Sequence, residues 1–413
     1  MTFETFPPDA EWPPKALANI TPTLAEWSAW YSGDPAALQR TYGAQGLATR
    51  PSQYAGGVVG TVARWFWGQP PRADQAKHRM HMPIASDIAT ASADLLFSEE
   101  LGLDTGAIKG DRLREILNGS NWQSFLPEAA EVCAALGGVY LRAGWDSEVA
   151  GHPLVTAMHA DGALPEFAYG RLRAVTFWQK VREDGNRIWR HLERHERGRI
   201  VHQLYQGTET RLGSPVPLPE SEATAGIPVN ADSAILTGID KLTVSYIPNV
   251  RPARAWRKDP LGSNLGRADI DGTPTFLDAL DETWTSWMRD IRLGKARIMV
   301  PDVLLETNGI GQGASFDLER EVFVPVRQPA DVKTSDSVYA QQFALRVDEH
   351  AATVKGLLAT IVQGSGYSAQ TFGLADEAAA TATEVDSRDR RTATTREKKS
   401  RYWTAGLEDF LET

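Results

Sequence analysis

The chain has 413 residues, enough for two or three domains of about 100–200 residues each. Apolar residues make up 42% and charged residues 23%, which excludes a largely disordered or collagen-like chain. Lys and Arg number 43 against 53 Asp and Glu, a formal charge of −10 without the basic footprint of a dedicated nucleic-acid binder. The single cysteine, Cys133, excludes an intrachain disulfide and a thiolate zinc site, and assembly in a cytoplasm is expected. No basic-then-apolar leader and no apolar run of about 18 residues occurs, so neither a signal peptide nor a membrane span is expected.

Residues 1–80 are rich in Pro and Trp with scattered apolar positions, and Gly56, Gly57 and Gly60 suggest a loop before Val62. Ile84, Ile88, Ala91 and Leu95 recur at helical spacing and predict a helix over 83–99. Trp122, Phe125, Ala129, Val132 and Leu136 predict another over 122–136, stopped by Gly137-Gly138. The pattern then changes to strands: 139–143, 176–181, a hairpin of 187–195 with 200–205, and 241–247. Residues 213–226 read as an exposed loop and 251–273 as an irregular connector.

Leu277, Leu280, Trp284, Trp287 and Ile291 form one apolar seam on a helix of about 274–296. A small β insert follows over roughly 298–333, from the Asn308-Gly309 turn signal and the alternation of Phe316, Leu318, Val322, Val324 and Val326. A second long helix is expected from about Ser337, with the seam Phe343, Val347, Val354, Leu357 and Ile361, ended by Gly364-Ser365-Gly366. A charged helix from about 376 completes the chain.

Catalytic signatures are missing. No Walker A motif is present, and the Gly309–Gly313 run lacks its Lys. His191, Glu193 and His195 do not have the zincin order, and they fall in a strand pattern where positions i and i+4 lie far apart. No nucleophile elbow occurs, and Cys133 sits in an apolar helix pattern. No metal or cofactor is expected. Arg388, Arg390, Arg391, Arg396, Lys398, Lys399 and Arg401 cluster near the end, interleaved with acids, as a solvated face or as an intersubunit or phosphate-facing surface.

The order of elements carries the signal. Residues 83–99 read PIASDIATASADLLFSE, 277–300 read LDALDETWTSWMRDIRLGKARIMV, and 364–403 read GSGYSAQTFGLADEAAATATEVDSRDRRTATTREKKSRYW. In these stretches, and in their order across residues 77–413, the chain resembles SPP1-type portal proteins of tailed double-stranded DNA bacteriophages. The resemblance implies an α+β portal fold: a wing over 1–273 (helices, then antiparallel strands), a first stem helix over 274–297 and a clip over 298–336. It continues with a second stem helix over 337–363, a tunnel-loop region over 364–380 and a wing- or crown-proximal helix over 381–413 with a short or absent crown.

The resemblance further implies a homo-oligomeric ring of about twelve subunits closed by one repeated contact, set at the unique capsid vertex of the virion. It also implies that double-stranded DNA passes the channel without sequence preference during packaging and ejection. The implied partners are the terminase large subunit, a head-completion or adaptor protein, and the major capsid and scaffold proteins, with no membrane and no enzymatic activity of its own. A ring of about twelve such chains carries roughly −120 formal charges, a wall that repels phosphates and limits sticking.

Candidate channel and tunnel-loop residues are Lys355, Gln363, Ser365, Tyr367, Ser368 and Gln370. Stem packing between copies is expected of Leu277, Leu280, Trp284, Trp287, Ile291, Phe343, Val347, Val354 and Ile361. Clip docking is expected of Glu306, Asn308, Arg320, Arg327 and Lys333, and intersubunit charge of Arg388, Arg390, Arg391, Arg396 and Lys398. The competing readings are a Trp-rich acidic enzyme or carbohydrate-binding protein, and a head–tail connector of another type.

Overall fold

The structure, a computed structural model, describes residues 6–7, 9–44, 79–99, 101–102, 110–119, 121–146, 148–293, 297–299, 306–307, 314–315, 339–341, 345–374 and 382–413. It divides into two units. One comprises Met1–Pro70, His81–Asp278 and Leu358–Thr413, the other Pro71–Met80 and Ala279–Leu357.

The first unit opens with α1 (Thr21–Ser32) and α2 (Pro35–Ala44), in the stretch whose Pro content reads as irregular. Pro22 and Pro35 stand in first turns, where the missing N–H costs nothing, and Leu24, Trp27 and Trp30 are buried. Next come α3 (Ile84–Phe97), α4 (Gly110–Gly119) and α5 (Trp122–Leu136). The apolar spacing predicts α3 and α5 but not α4. Gly137, at φ 81°, ends α5 in the left-handed region that suits glycine.

Two antiparallel sheets follow. β1 (Gly138–Gly144) lies between β2 (Leu154–His159) and β9 (Val244–Pro248). The second sheet runs β3 (Ala163–Ala168), β4 (Arg171–Asp184), β5 (Arg187–Glu196), β6 (Arg199–Gly207) and β7 (Ser214–Val216). Its last member, β8 (Ala234–Leu236), pairs with β6. The β5–β6 hairpin turns at Arg197-Gly198, as its turn signal predicts. The stretch 213–226 is not all loop, because it supplies β7 and a short helix, α6 (Glu222–Ala225).

The chain alternates faces along β1, and this sets the core. Val139 and Leu141 pack with Leu126, Ala129 and Cys133 of α5, Ile247 of β9, and Trp403, Leu407 and Phe410 near the C-terminus. Tyr140, on the opposite face, joins Val244 to Ala163, Val175 and Phe177 of the second sheet. Residues 251–273 are irregular yet reach the interior in places: Ala253, Trp256, Ala268, Asp269 and Ile270 are buried.

The seam-bearing helix is α7 (Pro274–Leu293). In the second unit β10 (Arg297–Met299) pairs antiparallel with β13 (Tyr339–Gln341), and β11 (Glu306–Thr307) with β12 (Ala314–Ser315). The second long helix, α8 (Val347–Gly364), starts later than the expected 337 because Tyr339–Gln341 is taken up by a strand. The alternating run 316–326 lies outside the described residues. The final helix, α9 (Ala382–Leu411), spans 30 residues. It approaches β9 so closely at Gly406 that a Cβ there would run into the Ile247 side chain.

Candidate functional site

In the second unit, the chain leaves α7 through β10 and returns to α8 through β13, so both ends of the insert meet at one strand pair. Asp290 of α7 sits beside this exit. Arg346 Nη2 donates to its Oδ2 at 2.7 Å, and His350 Nε2 lies 3.0 Å from the same oxygen. Hydrogen bonds from His350 and Arg346 hold the Asp290 carboxyl below the usual carboxylate range. Trp287 stacks parallel to His350 at 5.9 Å between centroids, and Trp284 meets Trp287 edge-on at 5.3 Å. Sequence reasoning missed Asp290, Arg346 and His350, because only the meeting of two distant helices brings them together.

The stem seam needs a correction. Leu277, Leu280, Val354 and Ile361 are buried within a single chain and belong to its own core rather than to a free packing face. Trp284 and Trp287 are half-buried. Ile291 is 41% exposed and Val347 44%, and these two remain open to another copy. Phe343 lies outside the described residues, as do Asn308, Arg320, Arg327 and Lys333. Glu306 lies in β11.

The expected tunnel-loop contacts need a second correction. Ser365, Tyr367 and Ser368 are buried, not displayed on a loop. The Tyr367 hydroxyl donates to Asp269 Oδ2 at 2.8 Å and accepts from Lys399 Nζ at 2.9 Å. Burial, then the charge of Asp269, pushes this phenol well above its ordinary pKa. Ser368 Oγ donates to Asp389 Oδ1 at 2.8 Å. Gln370 is half-buried, while Gln363 and Lys355 are exposed.

Lys399 is the exception in the C-terminal basic cluster. Arg390, Arg391, Arg396 and Lys398 are exposed, and Arg388 lies on the same helix. Arg396 Nε donates to the Leu95 carbonyl at 2.5 Å. Lys399 is 1% exposed and donates to both Asp269 oxygens, at 2.7 and 2.6 Å, and to Ser92 Oγ at 2.6 Å. Asn249 Nδ2 donates to Asp269 Oδ1 at 2.8 Å. Ser, Lys and Tyr side chains in contact are a nucleophile–base set in chemical type. Here the Lys ammonium nitrogen is already bonded to both oxygens of the Asp269 carboxyl, and all three side chains are buried.

A second polar cluster lies between the two sheets. Glu193 of β5 accepts from Arg142 of β1 at 2.6 Å and lies 2.7 Å from His195 Nε2, whose Nδ1 lies 2.7 Å from Thr243 Oγ1. Burial alone would raise the Glu193 pKa, but the His195 hydrogen bond and the charges of Arg142 and His195 outweigh it and hold the carboxyl at about 2. His191 and His202 stack, with Nε2 of the first 3.1 Å from Nδ1 of the second. Burial lowers both, His202 to about 4. Among the described residues no group of three or more His, Cys, Asp or Glu is placed to hold a metal.

A groove of about 870 Å³ runs between α1 and the second sheet, lined by Trp12, Trp178, Lys180, Arg190, Asp161 and Glu209 among others. Its cations are already engaged: Lys180 with Glu209 at 2.8 Å, and Arg190 with the carbonyls of Thr208, Glu209 and Arg211. Trp12 is buried and edge-on to Trp178, so it offers no open face for a sugar ring.

The chain is an α+β protein, and no helix among the described residues is long and apolar enough to cross a membrane. No protein-family model and no curated protein matches its sequence.

Proposed function

We propose that the chain is a portal subunit. It forms a ring at the unique vertex of a phage capsid, whose channel passes double-stranded DNA during packaging and ejection. The observation that carries this reading is the β10–β13 pair, which closes an excursion between two long helices. An insert between two long helices, followed by a short segment and a 30-residue helix on an antiparallel sheet, is the order of stem, clip, stem and wing. In this reading the insert meets the terminase large subunit and later a head-completion or adaptor protein. The first unit faces the major capsid and scaffold proteins. The net charge of −10 per chain keeps the channel wall from holding phosphates.

Native mass and negative-stain images of the purified chain test the proposal. The expected result is a ring of about twelve 45.3 kDa subunits with a central hole. A monomer whose tryptophan fluorescence responds to soluble oligosaccharides would overturn it in favour of a groove-binding protein, for which the 870 Å³ groove is the supporting observation.

A further inference from the structure

Asp389, Thr392, Thr395 and Lys399 follow one another on α9 at intervals of three, three and four positions, and so form a single stripe on that helix. Each member of the stripe bonds the segment that follows α8. Asp389 accepts from Ser368 Oγ at 2.8 Å, and Thr392 Oγ1 accepts from the Ser368 amide at 2.9 Å. Thr395 Oγ1 donates to the Gly366 carbonyl at 2.6 Å, and Lys399 Nζ to the Tyr367 hydroxyl at 2.9 Å.

The segment is bonded internally as well. The amides of Ser365, Gly366 and Tyr367 return to carbonyls of α8, and those of Thr371, Gly373 and Leu374 close turns within the segment. Gly366 stands at φ 97°, and a Cβ there would press on Thr395 Oγ1 at 3.0 Å, so close approach to the stripe depends on glycine.

We infer that this stripe, with Asp269 and Lys399 as its positioning residues, fixes the end of α8 to α9, making residues 365–374 an anchor rather than a mobile contact. Asp269 and Lys399 can hold this position because their charges cancel and their remaining bonds go to Asn249, Ser92 and Tyr367. A buried charge stays where its partners are, because leaving them unpaired is costly. The inference rests on the portal reading in one respect only: there, the anchored helix is the second stem helix. Tyr367 and Ser368 then cannot touch DNA while the anchor holds.

Amide hydrogen exchange on the purified full chain tests this. In the wild type, residues 365–374 are expected to exchange about a hundredfold or more slower than an unstructured chain, as docked segments do. Tyr367→Phe removes the bonds of that hydroxyl to Asp269 and Lys399, Thr392→Val those of Thr392 Oγ1 to the Ser368 amide and to the Thr371 and Ser368 hydroxyls, and both keep the side-chain shape and are mild enough to fold. Each is expected to speed exchange at 365–374 by about tenfold, with β5 and β6 unchanged, and Thr392→Ser, which keeps the hydroxyl, restores slow exchange. Fast exchange at 365–374 in the wild type overturns the anchor. So does unchanged exchange in both variants, or a loss shared equally with β5 and β6, which would mark a general loss of stability. The measurement reads the segment in any oligomeric state. A slow segment in a monomer counts against the ring alone, and a fast segment in a ring counts against the anchor alone.

Discussion

Lys399 Nζ lies 2.6 Å from Asp269 Oδ2, although 130 positions separate the two residues in the chain. Both side chains are buried, at 1% and 3% exposure, so neither charge can fall back on water if its partner is removed. Lys399→Met is therefore expected to cost about 3–5 kcal/mol, because it leaves a carboxylate buried and unpaired. Asp269→Leu combined with Lys399→Met removes both charges and is expected to recover most of that loss. Urea unfolding of the two variants and the wild type checks this. Equal losses in the single and double variants would mean that packing, not charge pairing, sets the effect.

The long-range pair shows where the sequence was readable and where it was not. Helices α3 and α5 were legible because Ile84, Ile88 and Leu95, and Trp122, Ala129 and Leu136, repeat at the helical period, and all of them but the half-buried Leu95 are buried. The β5–β6 hairpin was legible from Arg197-Gly198 between two strand-like runs. Helix α1 was not, because the apolar positions of this Pro- and Trp-rich stretch look scattered, and Pro22 fits its first turn without marking it. Lys399 was misread with its neighbours as part of a charged cluster, since Lys398 and Arg401 are exposed and nothing local distinguishes the buried residue. Tyr367 and Ser368 were misread for a related reason. Polar residues beside glycines look like a surface loop unless the opposing stripe on α9 is known to be polar too.

Acid should weaken the fold in two overlapping steps. Burial lowers His202 from its ordinary 6.5 to about 4, so between those values the unfolded chain holds the extra proton. Stability from this group is complete above pH 6.5 and is lost as pH falls through 4, by roughly 3 kcal/mol. His191 shifts in the same direction. Glu193, held at about 2 against an ordinary 4.5, adds stability that is lost as pH falls from 4.5 toward 2. The groups facing this cluster are His195 on β5 and Arg142 on β1. A His202→Gln variant should show a flatter stability curve between pH 6.5 and 4 than the wild type, measured by urea midpoint at each pH. Parallel curves would sink the assignment to His202.

Gly406 tests the packing of α9 on β9. A side chain there meets the buried Ile247 side chain, so either that side chain or the helix must shift. Gly406→Val is expected to lower stability by about 1–3 kcal/mol, the usual range for overpacking. The gain in helix propensity from replacing glycine is smaller, at about 1 kcal/mol or less. A thermal melt that rises on this substitution would show that the contact relaxes freely.

Ile291 and Val347 separate assembly from folding. Both belong to the predicted seams, yet they are 41% and 44% exposed where Leu277, Leu280 and Ile361 are interior. Asp at both positions removes little burial within the chain, so the thermal midpoint should stay within about 3 °C of the wild type, as for ordinary surface substitutions. If copies pack through these positions, the same change places charges in an apolar contact, and the native mass should fall from a ring to a monomer. Trp287→Ala makes the contrast. It removes the stack on His350 inside one chain and is expected to lower the melting point and the yield of rings together. Rings that persist with Asp at both 291 and 347 would move the contact between copies to another surface of the chain.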